Sequence, residues 1–244
     1  MKLSFVIPAY NEAKWLAACL QHIDAAVAAC RQDGGSEFAV ERLVVDNNST
    51  DGTADIAAAA GAIVVFEAVN QISRARNAGA RAATGDWLIF VDADSELPAG
   101  LLADVLQLIE GGRHIGCGSL MQMEGAPRGL RWSLKLWSWI STTLNWAAGS
   151  FVVCRADVFH ELGGFSEKIY VAEEIELSRR IKRYARKHGG KFVVLRDHPL
   201  RTSGRKAELY SQKELLGQVL RLLFRPRTTM QDKKALDVWY DGRR

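Results

Sequence analysis

Residues 86–96 read DWLIFVDADSE, an apolar run that ends in two aspartates spaced two apart. A run so continuously apolar predicts a strand covered on both faces, as in parallel sheets flanked by helices. In an extended segment alternate side chains share a face, so Asp92 and Asp94 are expected to point the same way and their charges to meet. Two readings follow. Either something positive neutralises the pair, or the acids are a solvated strand end in which Asp94 or Ser95 caps a helix starting near Pro98.

Upstream of this run, LSFVIPAY (3–10), ERLVVD (41–46) and AIVVFEA (62–68) read as strands. Helical patterns at 12–32, 53–61 and 71–84 separate them, the last closed by Gly85, and another follows at 99–112. Regular alternation of this kind is the sign of β-α-β units on a parallel sheet. The pattern then changes. Strand HIGCGSLMQME (114–124) precedes a Trp-rich helix at 130–147, a strand running into a short helix over 149–165, a charged helix at 172–189 and a last strand, KFVVLRD (191–197). The remainder, from His198, is basic, punctuated by proline and helical around 213–224. The expected fold is α/β, a Rossmann-type three-layer sandwich with a mostly parallel mixed sheet and a C-terminal helical tail.

Composition narrows the class. A chain of 244 residues, 48% hydrophobic, can build one large α/β domain with a small appendage. A formal charge of +4 is too modest to argue for nucleic acid. The charge is uneven, with eleven Lys/Arg against five Asp/Glu from Arg201 onward. Such a tail suits phosphate-bearing substrates, an anionic membrane face or plain solvation. Cys19, Cys30, Cys117 and Cys154 lack metal-like spacing and read as reduced core thiols of a cytoplasmic protein. The apolar run before Pro8 is too short for a signal peptide. Residues 136–154 carry no charge, but their Ser, Thr, Asn and Gly make a poor membrane span, so a buried or interfacial segment is expected.

In open parallel sheets ligands bind beyond the carboxyl ends of the strands. Polar residues gather at three such ends: PAYNE (8–12), DNNSTDGT (46–53) and DADSE (92–96). Asn, Ser, Asp and Gly also favour turns and helix caps, so DNNSTDGT alone does not separate a site from a loop.

Five ordered segments, VIPAYNE (6–12), VVDNNSTDGT (44–53), SRARNAGARAATGDWLIFVDADSE (73–96), FHELGGF (159–165) and EEIELSRRI (173–181), together resemble a family-2 glycosyltransferase of the GT-A fold. The resemblance implies a GT-A catalytic domain over 1–200, with a nucleotide-binding half at 1–115 and an acceptor-binding half at 116–200. Residues 201–244 form a basic tail outside it. It also implies hexosyl transfer from a nucleotide-diphosphate sugar, UDP-sugar before GDP-sugar, to a hydroxyl acceptor, with inversion and with Mn²⁺ or Mg²⁺ as cofactor. Hard cations take oxygen ligands and bridge carboxylates to substrate phosphates.

By the same resemblance the spaced acids match a D-x-D motif, with Asp94 the metal ligand, Asp92 on the ribose or the metal, and Ala93 lining the donor. Pro8, Ala9, Tyr10 and Glu12 lie along base and ribose, with Asp46 and Ser49 at the base edge. Arg74 faces the base, and Asn77 shapes the donor loop. Arg74 and Arg76 also read as exposed helix charges paired with Asp86. His198, downstream of the catalytic acid, is the expected third metal ligand, or else a surface turn residue before Pro199. Glu174 aligns with the general base, where the family usually has Asp, and Glu173 takes that role after a one-residue shift. Glu176, four residues before Arg180, reads as an ion-paired helix acid.

The acceptor is unidentified: a saccharide, a lipid-linked group or a small molecule. Trp132, Trp137, Trp139 and Trp146, with Arg128, Arg131 and Lys135, suit a sugar platform, a membrane-interface helix or plain packing. The leucine-rich tail suits peripheral contact with the inner membrane face or a homodimer. Two other classes stay open: a nucleotidyltransferase, which would want a Gly-rich basic loop where PAYNEAKW stands, and a non-catalytic nucleotide-sugar-binding protein.

Overall fold

The structure is a computed structural model that describes residues 1–32, 37–123, 147 and 149–203. An eight-stranded mixed sheet runs in the order β3-β2-β1-β4-β7-β6-β8-β5. Its strands are β1 (Lys2–Ala9), β2 (Ala39–Asp46), β3 (Ile63–Phe66), β4 (Trp87–Val91), β5 (Ser95–Glu96), β6 (His114–Met123), β7 (Phe151–Arg155) and β8 (Lys191–Thr202). Strands β1 to β4 pair in parallel, as do β6 and β8; β7 runs against both β4 and β6, and β5 against β8. The expected α/β architecture with a mostly parallel mixed sheet is therefore found.

Alternation along the central strands builds two cores. Leu3, Phe5 and Ile7 of β1 and Ile89 and Val91 of β4 face one side. There they meet α1 (Leu16–Gln32), α2 (Thr53–Ala59) and α4 (Ala99–Glu110). Val6, Leu88 and Phe90 face the other side, covered by α3 (Ile72–Ala82), α5 (Ala156–Glu161) and α6 (Glu173–His188). Period-two side chains in a sheet with helices on both faces give this division directly. The four cysteines are buried free thiols within it.

Several expected elements change. Strand β3 is an edge strand, and Ile63, Val64 and Phe66 are exposed rather than covered. Helix α3 ends at Ala82, and Gly85 does not cap it. Gly85 is required for close approach instead, because a Cβ there would lie 2.4 Å from Ser4 Oγ and 2.9 Å from the Lys2 carbonyl. The chain turns at Asp92–Asp94 instead of extending, with the Ser95 N–H donating to the Asp92 carbonyl. Helix α4 is capped by Pro98 with no side-chain cap, so neither Asp94 nor Ser95 plays that part. Strand β8 continues through His198 and Pro199 to Thr202. The Trp-rich helix at 130–146 and the tail from 204 lie outside the described residues. Among the described residues no helix is long and apolar enough to cross a membrane.

Near the start of β2, Glu41 ties that strand to β1 and to the β4 entry. It accepts from Ser4 Oγ at 2.5 Å, the Thr84 N–H at 2.6 Å and Thr84 Oγ1 at 2.9 Å, and pairs with Lys2 Nζ at 2.6 Å. Burial pushes its pKa up, but these donors outweigh it and bring the group down to about 2. A depressed carboxyl contributes stability above its ordinary value and loses it as pH falls through the folded one. Glu41→Gln is expected to cost about 1–3 kcal/mol at pH 7. In denaturant melts the gap to the wild-type protein should hold above pH 5 and close as pH approaches 2.

Candidate active site

Because β1 to β4 are parallel, the segments after β1, β2, β3 and β4 emerge at one end of the sheet. Strand order reverses at β1, with β2 and β3 on one side and β4 on the other. Such a switch point leaves a crevice between diverging loops.

The first two loops are stapled by side chains. Asn11, at φ 53°, accepts from the Thr50 N–H at 2.8 Å, while its own N–H donates to Ser49 Oγ at 3.0 Å. The Glu12 N–H donates to Thr53 Oγ1 at 2.9 Å, and the Ala13 N–H to Asp51 at 3.2 Å. Asp46 is buried and accepts from the Ser49 N–H at 2.9 Å. Asn47 reaches across, donating to the Glu67 and Val69 carbonyls and accepting from the Gln71 N–H at 2.9 Å. Loop backbone that would otherwise need water is thereby satisfied and fixed.

Helix α3 supplies the next wall. Asn77 clamps the loop before α6, accepting from the Phe165 N–H at 2.8 Å and donating to the Phe165 carbonyl at 2.9 Å and Glu167 at 3.1 Å. Gly164 must be glycine here: its φ is +71°, and a Cβ would lie 2.6 Å from Asn77 Oδ1. Gln71 Nε2 donates to the Glu167 and Ile169 carbonyls. Arg74, half-exposed, pairs with Glu67 and Glu167.

Arg76 is 1% exposed. Its Nη2 donates to Asp92 Oδ1 at 2.9 Å, and its Nη1 donates to Glu173 Oε1 at 2.8 Å and Glu174 Oε1 at 3.1 Å. The Phe165 ring stacks on the guanidinium, 5.2 Å away. Burial opposes its charge, but Asp92, Glu174 and Glu173 together hold its pKa above the ordinary value. Burial, reinforced by the Glu174 charge, pushes Glu173 above the ordinary carboxylate range, while Arg76 pulls it back. Asp94 lies across the turn from Asp92, and its Oδ2 accepts from Ser203 Oγ at 2.8 Å. Beneath both, burial and then the charges of Asp94, Asp92 and Glu12 push the Cys19 thiol up to about 12.

The donor chemistry fits a particular kind of cation site. Among the described residues no group of three His, Cys, Asp or Glu side chains could enclose a metal ion. One or two carboxylates at the mouth of a crevice suit Mg²⁺ or Mn²⁺ that keeps waters and shares its shell with substrate phosphates.

Comparison with known proteins agrees with this architecture. Residues 4–162 match the model of Glycosyl transferase family 2. The chain belongs to this family. An uncharacterized glycosyltransferase of Mycobacterium tuberculosis is 32% identical over 139 residues, which cover 57% of this chain and 54% of that protein. The chain thus spans about half the length of the curated relatives it matches. Among solved structures, the mannosyltransferase PcManGT of Pyrobaculum calidifontis, in complex with GDP-Man and Mn²⁺, superposes with a TM-score of 0.67 at 20% identity, covering 98% of this chain and 67% of that one. S. aureus TarS in complex with UDP-GlcNAc gives 0.64 at 19% identity, covering 98% and 69%. At such identities these two show the fold, which is GT-A.

Within this family-2 chain the structure brings most of the expected site residues to one crevice rim. Pro8 and Ala9 end β1, half-buried Tyr10 and buried Glu12 follow, and Asp46 and Ser49 stand at the end of β2. Ala93 is buried between the two aspartates. Glu176 pairs with Arg180 at 2.6 Å, as helix spacing predicts. Two placements differ. His198 is not brought to Asp94: its Nδ1 lies 2.9 Å from Asp104 Oδ2 on α4, and its ring covers Gly100. Because β8 stays extended to Thr202, His198 is about 16 Å of strand short of Ser203, which is the residue that meets Asp94. Arg76 is not an exposed charge paired with Asp86; Asp86 instead accepts from the Lys2 N–H at 2.7 Å. Arg76, Asn47, Gln71 and Ser203 are additions to the expected set. For Arg76 the signal lies in its neighbours. Ser73, Ala75, Ala78, Gly79 and Ala80 mark a helix buried around most of its circumference, where an arginine needs acid partners.

Proposed function

We propose that the protein is an inverting glycosyltransferase that moves a sugar from a nucleotide-diphosphate donor to a hydroxyl acceptor with the help of Mn²⁺ or Mg²⁺. One observation carries this reading: Asp92 of the donor crevice and Glu174 at the start of α6 meet on a single guanidinium, so a carboxylate base stands beside the donor-side acids. PcManGT with GDP-Man and Mn²⁺, and TarS with UDP-GlcNAc, support a nucleotide-sugar donor. Asp46 suits a base-edge N–H of either nucleotide, and a UDP-sugar is the first donor to test.

Asp94 would hold the cation, with Asp92 on the ribose or the metal-bound water. When bound, the cation supplies charge stabilisation to the departing diphosphate. Between the two adjacent glutamates, depth favours Glu174 as the base. Glu173 is 2% exposed and held on Arg76 at 2.8 Å, so an acceptor hydroxyl has little access to it. Glu174 is partly exposed, with Oε1 on Arg76, and would take the acceptor hydroxyl proton on its other oxygen. Tyr10 offers a ring along the base, and the stapled loops hold the donor pocket in shape before ligand arrives.

With Mn²⁺ and UDP-glucose, UDP-GlcNAc or GDP-mannose, the protein is expected to release nucleoside diphosphate slowly even without acceptor. Asp94→Ala should abolish release together with the Mn²⁺-dependent part of nucleotide binding; full activity in this variant would remove Asp94 from the metal role. Glu174→Gln should lower turnover by about 10²- to 10⁴-fold with donor affinity near normal. Unchanged turnover would place the base elsewhere.

A further inference from the structure

The geometry points to Arg76 as a positioning residue that sets the reach of Glu174 relative to the donor, an inference that rests on the function proposed above. The guanidinium is a rigid planar fork, and its two terminal nitrogens are divided between the two halves of the site. Nη2 holds Asp92 at the end of β4; Nη1 holds Glu173 and Glu174 at the start of α6. These acids lie 16, 97 and 98 residues from Arg76 in sequence, and no strand pairing joins α6 to the β4 turn. The fork therefore fixes a spacing that the sheet alone does not.

Three features separate this from an ordinary structural ion pair. First, the guanidinium is caged: Phe165 covers it, and Asn77, one residue along α3, clamps the loop that carries that ring. Second, Nε has no hydrogen-bond partner among the described residues, so the acid contacts supply the polar compensation for a fully buried cation. Third, α6 is preceded by Ala172 in a left-handed conformation, φ 64°, a position that costs a non-glycine residue energy. That entry angle turns Glu173 and Glu174 inward under Arg76 instead of out along the helix, where Glu176 pairs with Arg180.

A fork that sets spacing makes a specific demand on kinetics. Lysine keeps the charge but is a point donor on a flexible stem and cannot hold Asp92 and Glu174 at fixed separation. Arg76→Lys is expected to lower kcat for donor turnover by about 10²-fold while the UDP dissociation constant with Mn²⁺ changes less than about threefold. The same substitution made in a Glu174→Gln background should change kcat by less than about threefold, because nothing is left to position. A purely structural arginine would instead lower kcat by the same factor in both backgrounds.

The outcomes separate cleanly. If the wild-type protein releases no nucleoside diphosphate from UDP-glucose, UDP-GlcNAc or GDP-mannose, the functional reading falls and this inference with it. If the wild-type protein is active and Arg76→Lys matches its kcat, or the two substitutions multiply, the positioning role alone is overturned. Should the lysine variant fail to fold, Glu174→Asp reads the same reach from the other end. One methylene shorter, it should lose at least about tenfold in kcat with UDP affinity kept, and unchanged turnover there overturns the tether.

Discussion

A guanidinium buried to 1% exposure is the interaction on which both the fold and the site depend. Moving such an ion out of water costs several kcal/mol even after relaxation, and only close, well-aligned acids offset it. Arg76 finds them at a strand end and a helix start, both outside its own helix. Seating the small-residue face of α3 against β1 and β2 is therefore energetically coupled to the β4 turn and to α6. The same contacts that permit the packing bring the donor acids and the candidate base together. Folding and assembly of the site are, at this point, one event.

The donor side solves a different problem. Parallel strands end in loops whose backbone groups have no ladder to join, and a crevice that must admit a ligand cannot cover them with bulk. Here they are satisfied by short side chains from the neighbouring loop: Asn11 with Ser49 and Thr50, Thr53 with Glu12, Asn47 with the segment after β3. The two positive-φ asparagines, Asn11 and Asn48, belong to this work, since asparagine tolerates the left-handed region better than most residues. A pocket built this way is rigid before it is filled, which suits recognition of a flexible nucleotide diphosphate.

Much of this was legible because it is local. The alternation of apolar runs with helical patterns gave β1 to β4 and their helices, and polar strand ends pointed to one rim of the sheet. What was not legible came from distant pairing. DWLIFVDADSE reads as one extended segment, yet β8 captures Ser95 and Glu96 from over a hundred residues away and bends the chain between the aspartates. His198 reads as a metal ligand or as a turn residue before Pro199, yet β6 extends β8 past it and carries it to Asp104. Arg76 reads as a surface charge because its partners lie 16, 97 and 98 residues away, at a strand end and a helix start. In each case period and propensity were sound, and a contact across the fold overrode them.

The charge balance of the crevice gives a reason for a cation that does not depend on resemblance. Arg76 is already shared among three acids, Asp92, Glu173 and Glu174. Among the described residues the acids outnumber it, and after burial, the larger cause, the charges of Asp94, Asp92 and Glu12 raise the Cys19 thiol further. A diphosphate entering beside that excess of acids is repelled unless positive charge enters with it. On the proposed reading, nucleotide and divalent cation are then linked ligands, each raising the affinity of the other by the same factor. On that reading the acids after β4 would serve to make the pair bind together, at the place where the leaving group's charge would grow.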